Sequence, residues 1–165
     1  MEQYQPSFLI SEGGIFPDMT LHNQHGQPVR THAKGAGYRL YYFYPQDNTP
    51  TCTKEACNLR DHMELLADEG IQVFGISPDD EKSHLRFSNK HTLNFDLLVD
   101  SGHALASSLG IWGLKYTFGK EYEGLHRVSY LVDGRHRIIS IIYPVESATH
   151  HAQVLDRFRA VTGGK

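Results

Sequence analysis

Cys52 and Cys57 are the only cysteines of the 165-residue chain. Both fall in the segment YYFYPQDNTPTCTKEACNLRD, Tyr41 to Asp61. A C-x4-C pair is neither the C-x2-C of dithiol redox motifs nor that of zinc ribbons. Cys52 stands where a loop becomes a helix, with Thr49, Thr51 and Thr53 available as caps. A thiol in the first helical turn faces free backbone N–H groups and the positive end of the macrodipole. Both favour the thiolate, which is the nucleophilic form. The same residue also lies on the apolar stripe of that helix, where a cysteine serves as a small buried hydrophobe. The residue alone leaves both readings open.

The spacing of the pair carries a geometric consequence. Five residues of helix rise about 7.5 Å and turn about 500°, so the two Cα atoms lie roughly 8.6 Å apart. A disulfide needs them within about 7 Å. Either Cys57 is an unrelated helix residue, or the first turns unwind during the chemistry.

The elements that must position these thiols read off the hydrophobic pattern. YRLYYFY, Tyr38 to Tyr44, is a buried strand stopped by Pro45. A helix over 52–69 follows, striped by Cys52, Ala56, Leu59, Met63 and Leu66 and ended at Gly70. IQVFGIS is a second buried strand, and Asp79 or Asp80 caps a helix running to about Asn89. FDLLVD is a third strand, and GHALASSLG a short helix closed by Gly110. HRVSYLVD and RIISIIYPV form a hairpin around Gly134, and 147–161 a final helix. Ahead of all these, a short hairpin turns around Gln24 to Gln27. The order, a hairpin, then βαβαβα, then ββα, implies a mostly parallel sheet made mixed by its antiparallel additions. The best fit is an α/β thioredoxin-like sandwich with a central mixed sheet, flanking helices and an N-terminal hairpin, in a single domain over 1–165.

Composition sets outer limits. Hydrophobic residues make up 39% and charged residues 21%, the balance of an ordinary globular protein. A net charge of −3 gives no basic face for nucleic acid. No apolar run reaches membrane-span length. The opening MEQYQPSFLISEGG has no basic-then-apolar leader pattern, so a cytoplasmic location is expected. In that reducing setting a cysteine pair is catalytic or metal-binding rather than a structural staple. The 11 histidines, including His150 and His151, are scattered without a zinc-ligand framework, so no metal or other cofactor is expected. Trp112 reads as a core-edge loop residue. GGIFP and GIWGLKYTFG spell no phosphate loop.

The cysteine segment resembles the active-site segment of the Q-type peroxiredoxins, also called bacterioferritin comigratory proteins. The family core P-x-x-x-T-x-x-C matches Pro45, Thr49 and Cys52, and its resolving cysteine five residues on matches Cys57. FPDMTL, VFGISPDD and GIWGLKYTFGKEYEGLHRVSYLVD are similar to the same family, so the resemblance spans nearly the whole chain. It departs at Thr51, where many relatives carry glycine, and at FPDM, where APDF is usual.

The resemblance implies a thiol peroxidase acting on hydrogen peroxide and organic hydroperoxides. Cys52 would attack the peroxide and become a sulfenic acid. Thr49 would orient thiolate and peroxide, and Pro45 would wall the pocket. Arg127, by itself a surface or ion-paired arginine, would become the active-site cation that stabilises thiolate and leaving oxygen. Cys57 would resolve the sulfenic acid as an intramolecular disulfide, to be reduced by thioredoxin or a similar dithiol. With both thiols in one chain, a monomer is expected. Two alternatives stand beside this. One is a disulfide oxidoreductase or redox sensor on the same fold, disfavoured by the C-x4-C spacing. The other is a non-enzymatic domain with two core thiols, disfavoured by Thr49 and Arg127.

Overall fold

A computed structural model describes residues 4–35 and 37–163. The first residues of the segment searched for a leader, 1–3, lie outside them. The chain begins with the hairpin β1 (Thr20–Asn23) and β2 (Pro28–Arg30). β3 (Tyr38–Phe43) leads into α1 (Pro50–Asp61) and α2 (Met63–Asp68). Next come β4 (Ile71–Ser77), α3 (Glu81–His91), β5 (Asp96–Val99) and α4 (Ala104–Leu109). A ribbon of β6 (Trp112–Thr117) and β7 (Lys120–Leu125) precedes β8 (Val128–Val132), β9 (Ile138–Ile142) and α5 (His150–Thr162).

Seven strands form one sheet in the order β2-β1-β5-β4-β3-β8-β9. This is the thioredoxin-like α/β arrangement expected from the element order. The sheet is less parallel than that order implied, because among the described residues only β3–β4 and β4–β5 pair in parallel. The N-terminal hairpin docks antiparallel on β5, and β8 returns antiparallel along β3.

Alternation along β3 divides the core. Leu40, Tyr42 and the following Tyr44 face one layer with Cys52, Ala56 and Leu59 of α1, Phe87 of α3 and Val154 of α5. Tyr41 and Phe43 face the other, with Leu105 and Leu109 of α4. A full side chain of this size buried from water contributes about 1.5–3 kcal/mol. Gly75 on β4 admits the Tyr42 ring: a Cβ there would lie 2.8 Å from its hydroxyl end and from Leu97.

Three expectations change. The helix over 52–69 starts at Pro50 and divides at His62, which leaves helical geometry at φ −120°. There the His62 N–H turns to the Leu59 carbonyl, and its ring Nδ1 takes up the Asn58 carbonyl in its place. Trp112 belongs to a strand, not a loop, and stacks on His103 at 3.8 Å. Its ribbon β6–β7 escaped the pattern because most of its residues face solvent, leaving no apolar period to read. Finally, Arg127 lies just before β8 rather than on it.

Candidate active site

Phe43 ends β3, Tyr44 stays buried, and the half-buried Pro45 turns the chain into a short loop. Asp47 anchors that loop from within. Its carboxylate accepts from the Tyr44 and Ser83 hydroxyls and meets His84 Nδ1 at 2.7 Å. His84 reaches the Leu98 carbonyl with its other nitrogen, so the loop is tied to α3 and β5. Thr49 then caps α1 in extended geometry, with Pro50 in the first turn. Its hydroxyl accepts from the Cys52 N–H at 3.3 Å and donates to the Gln46 carbonyl at 3.4 Å. Of the three candidate caps, Thr49 is the one used.

This local geometry sets Cys52 in the first turn of α1, only 2% exposed. Cys57 lies on the same helix, half-buried, and both are free thiols. The remaining group comes from across the sheet. In the β3–β8 ladder Phe43 pairs with Val128, so Arg127 arrives beside the end of β3 where the loop begins. Arg127 Nη2 donates to Cys52 Sγ at 3.1 Å. Its Nη1 donates to Glu55 Oε1 at 2.6 Å. One planar guanidinium thus serves a thiol and a carboxylate together, which a lysine ammonium has no fork to imitate. Burial works against its charge, yet Glu55 and Cys52 hold its proton more tightly than usual.

Glu55 was missed by the sequence reading. It is fully buried, and burial raises its carboxyl to about 7 against the opposing pull of Arg127. Behind it sits His150, also fully buried, whose Nε2 meets the Ser129 hydroxyl at 2.8 Å. Burial pushes His150 down to about 4. A signal for Glu55 existed. It falls three residues after Cys52 and four before Leu59, on the apolar face of α1, where a charge demands a partner. No comparable signal marks His150.

Among the described residues, no group of three or more His, Cys, Asp or Glu side chains is placed to hold a metal ion. Beside the site opens a cavity of about 530 Å³, lined by Arg127, His126, Lys115, Tyr116 and Tyr143. Arg127 lines it, and the buried Cys52 does not. No helix among the described residues is long and apolar enough to cross a membrane.

The chain's relatives share this architecture. Residues 13–141 match the profile described as the AhpC/TSA family. Peroxiredoxin Bcp of Bacillus subtilis is 41% identical over 150 residues, spanning 91% of this chain and 96% of that protein. Peroxiredoxin Bcp of Escherichia coli K12 is 39% identical over 147 residues, 89% of this chain and 94% of that one. Among solved structures, the Xanthomonas campestris bacterioferritin comigratory protein superposes with a TM-score of 0.80. It is 27% identical and covers 86% of this chain and 90% of its own. BcpB of Mycobacterium tuberculosis gives 0.81 at 27% identity, over 92% and 98%. A thiol capped at a helix start, an arginine on its sulfur and near-full-length kinship converge: the chain belongs to the AhpC/TSA family, as a Bcp-type peroxiredoxin, a thiol peroxidase.

Proposed function

We propose that Cys52 is the peroxidatic nucleophile and Cys57 its resolving partner, in a single-domain, monomeric, cytoplasmic enzyme recycled by thioredoxin or a similar dithiol. The observation that carries the reading is the Arg127 guanidinium, 3.1 Å from Cys52 Sγ at the capped start of α1. Backbone N–H groups and a fixed cation together favour the thiolate. Arg127 then meets the negative charge that builds on the departing oxygen. The thiolate sulfur attacks the nearer peroxide oxygen, the O–O bond breaks, and the other oxygen leaves as water or alcohol once protonated. Cys52 is left as a sulfenic acid.

Thr49 fixes the first turn by capping the Cys52 N–H, and Pro45 shapes the loop without exposing a backbone donor. The cavity facing Arg127 has room for the organic part of an alkyl or aryl hydroperoxide as well as for hydrogen peroxide. Resolution requires α1 to unwind, since Cys52 and Cys57 share an intact helix. The segment suits that motion. Between the thiols Ala56 is the only apolar side chain buried in the core, beside the buried Glu55, and the larger Leu59 anchors the helix beyond them.

The test is thioredoxin-coupled NADPH oxidation on adding hydrogen peroxide or an organic hydroperoxide. Turnover that requires peroxide is expected. Peroxide-independent reduction of protein disulfides, with no peroxidase rate, would overturn the assignment.

A further inference from the structure

Glu55 lies on α1 between the two thiols, three residues after Cys52 and two before Cys57. Its two oxygens have unequal surroundings. Oε1 accepts from Arg127, whereas Oε2 is buried without a hydrogen-bond partner. His150 Nε2 lies 3.6 Å from it, beyond hydrogen-bond range. His150 Nδ1 faces the Gln153 Oε1 acceptor, so the neutral ring carries its proton there and leaves Nε2 as an acceptor. From β3, the Tyr42 hydroxyl is buried and unpartnered. On its own helix, Cys52 competes for the Arg127 guanidinium. Arg127, Cys52, His150 and Tyr42 are thus the titratable groups that face Glu55. Only Arg127 offers it a charge-assisted bond, and Arg127 is shared.

We propose that Glu55, a buried carboxyl set between two thiols on one helix, is the positioning residue that decides when α1 unwinds for disulfide formation. This rests on the reading of Cys57 as the resolving thiol. Carrying a proton, Glu55 stays in the core and keeps the first turns on the sheet. Ionised, it gains hydration by leaving, and unwinding takes it into water together with its stretch of helix. The released segment brings Cys57 to the Cys52 sulfenic acid. The Cys57 sulfur supplies the electron pair of the new S–S bond, the S–O bond breaks, and hydroxide leaves with the Cys57 proton as water. No outside reductant enters this step.

The direction with pH follows from linkage. The carboxyl sits at about 7 in the folded helix and returns toward 4.5 when exposed. The stability it lends to the folded helix is complete below 4.5 and lost as pH rises through 7. Oxidation leaves a neutral sulfenic acid on Cys52 and frees Arg127 for Glu55. The upper edge of the window in that state therefore lies at or below 7.

The experiment is a single turnover. Reduced protein is mixed with stoichiometric hydrogen peroxide at pH 5 to 8, quenched by alkylation, and its Cys52–Cys57 disulfide followed by mass spectrometry. Glu55→Gln keeps the shape and is neutral at every pH, and ionisation of Cys57 acts alike in both proteins. The two should agree within about fivefold at pH 5. At pH 7.5 the wild type should resolve about tenfold faster or more, each tenfold being one unit of linked pKa shift. Glu55→Asp, which still titrates, should restore a pH-dependent advantage over Gln. A ratio that stays flat with pH overturns the role of Glu55 and leaves Cys57 as resolving thiol intact. Absence of the disulfide in the wild type overturns both. Should Glu55→Gln fail to fold, hydrogen exchange of the wild-type dithiol decides. Opening of α1 amides, corrected for intrinsic rates, should rise at least tenfold between pH 5 and 7, and constant opening overturns the proposal.

Discussion

Arg127 and Cys52 are 75 residues apart in the chain, yet the guanidinium Nη2 lies 3.1 Å from the sulfur. The distance is set by two independent pieces of geometry, the cap that starts α1 and the β3–β8 register that delivers Arg127. Arg127→Lys keeps the charge but loses the fork that serves Cys52 and Glu55 together. Peroxidase kcat/KM should fall at least tenfold, corresponding to about 1.4 kcal/mol of lost transition-state stabilisation. Near-normal kinetics would show the arginine to be structural.

The two thiols should separate cleanly by substitution. Cys52→Ser should abolish peroxide consumption, because a serine hydroxyl is not ionised at neutral pH. Cys57→Ser should consume one equivalent, stall in the thioredoxin-coupled assay, and become easier to inactivate with excess peroxide. Stoichiometric peroxide titration of both variants distinguishes these outcomes. Sustained turnover by either would remove that cysteine from its role.

Unwinding of α1 predicts a change in amide protection. Opening its first turns loses a few backbone hydrogen bonds, each worth about 0.5–1.5 kcal/mol net, within the range of ordinary local opening. Amides from Thr51 to Leu59 should exchange faster in the disulfide form than in the dithiol. Unchanged protection in protein whose Cys52–Cys57 bond is confirmed by mass would contradict the helical placement of both thiols.

Thr49→Val removes the acceptor for the Cys52 N–H while keeping the β-branched shape. A lost cap costs about 1 kcal/mol. Chemical denaturation should show a loss of that size, and peroxidase activity should drop as the first turn frays. Thr49→Ser should restore most of both. Equal stability of the Val and wild-type proteins would mean the cap contributes nothing.

Burial holds His150 at about 4 in the folded protein, against about 6.5 when exposed. A base depressed by folding stabilises the native state above 6.5, and that contribution is lost as pH falls from 6.5 toward 4. The shift corresponds to something on the order of 3 kcal/mol. Glu55 acts in the opposite sense over much of the same window, so the wild-type curve alone does not isolate either group. The difference between wild type and His150→Gln does. Wild-type urea midpoints should fall relative to those of the non-titrating His150→Gln as pH drops from 7 to 4.5, beyond any offset already present at pH 7.

Whatever depends on neighbours along the chain was legible beforehand. The threonines around Cys52 mark a helix start, and the C-x4-C spacing alone shows that an intact helix keeps the thiols apart, although which threonine caps it was left open. The strands 71–77 and 138–142 announce themselves by buried, β-branched runs. The ribbon β6–β7 did not, because a hairpin exposed on both faces needs no apolar alternation. Its turn at Phe118 and Gly119, both at positive φ, lacks the Asn-Gly signature that would have marked it.

What only the tertiary structure decided is the company each side chain keeps. The sequence by itself determined that one thiol stands at a helix start with a second thiol out of reach across the intact helix. It held no local sign that Arg127 divides between Cys52 and Glu55, or that His150 closes the far side of that carboxyl. Those meetings join residues 72 to 95 positions apart. They depend on strand register and helix docking, which many distant contacts settle together. Burial follows from the same packing, and burial is what turns an ordinary glutamate into one that titrates near neutrality.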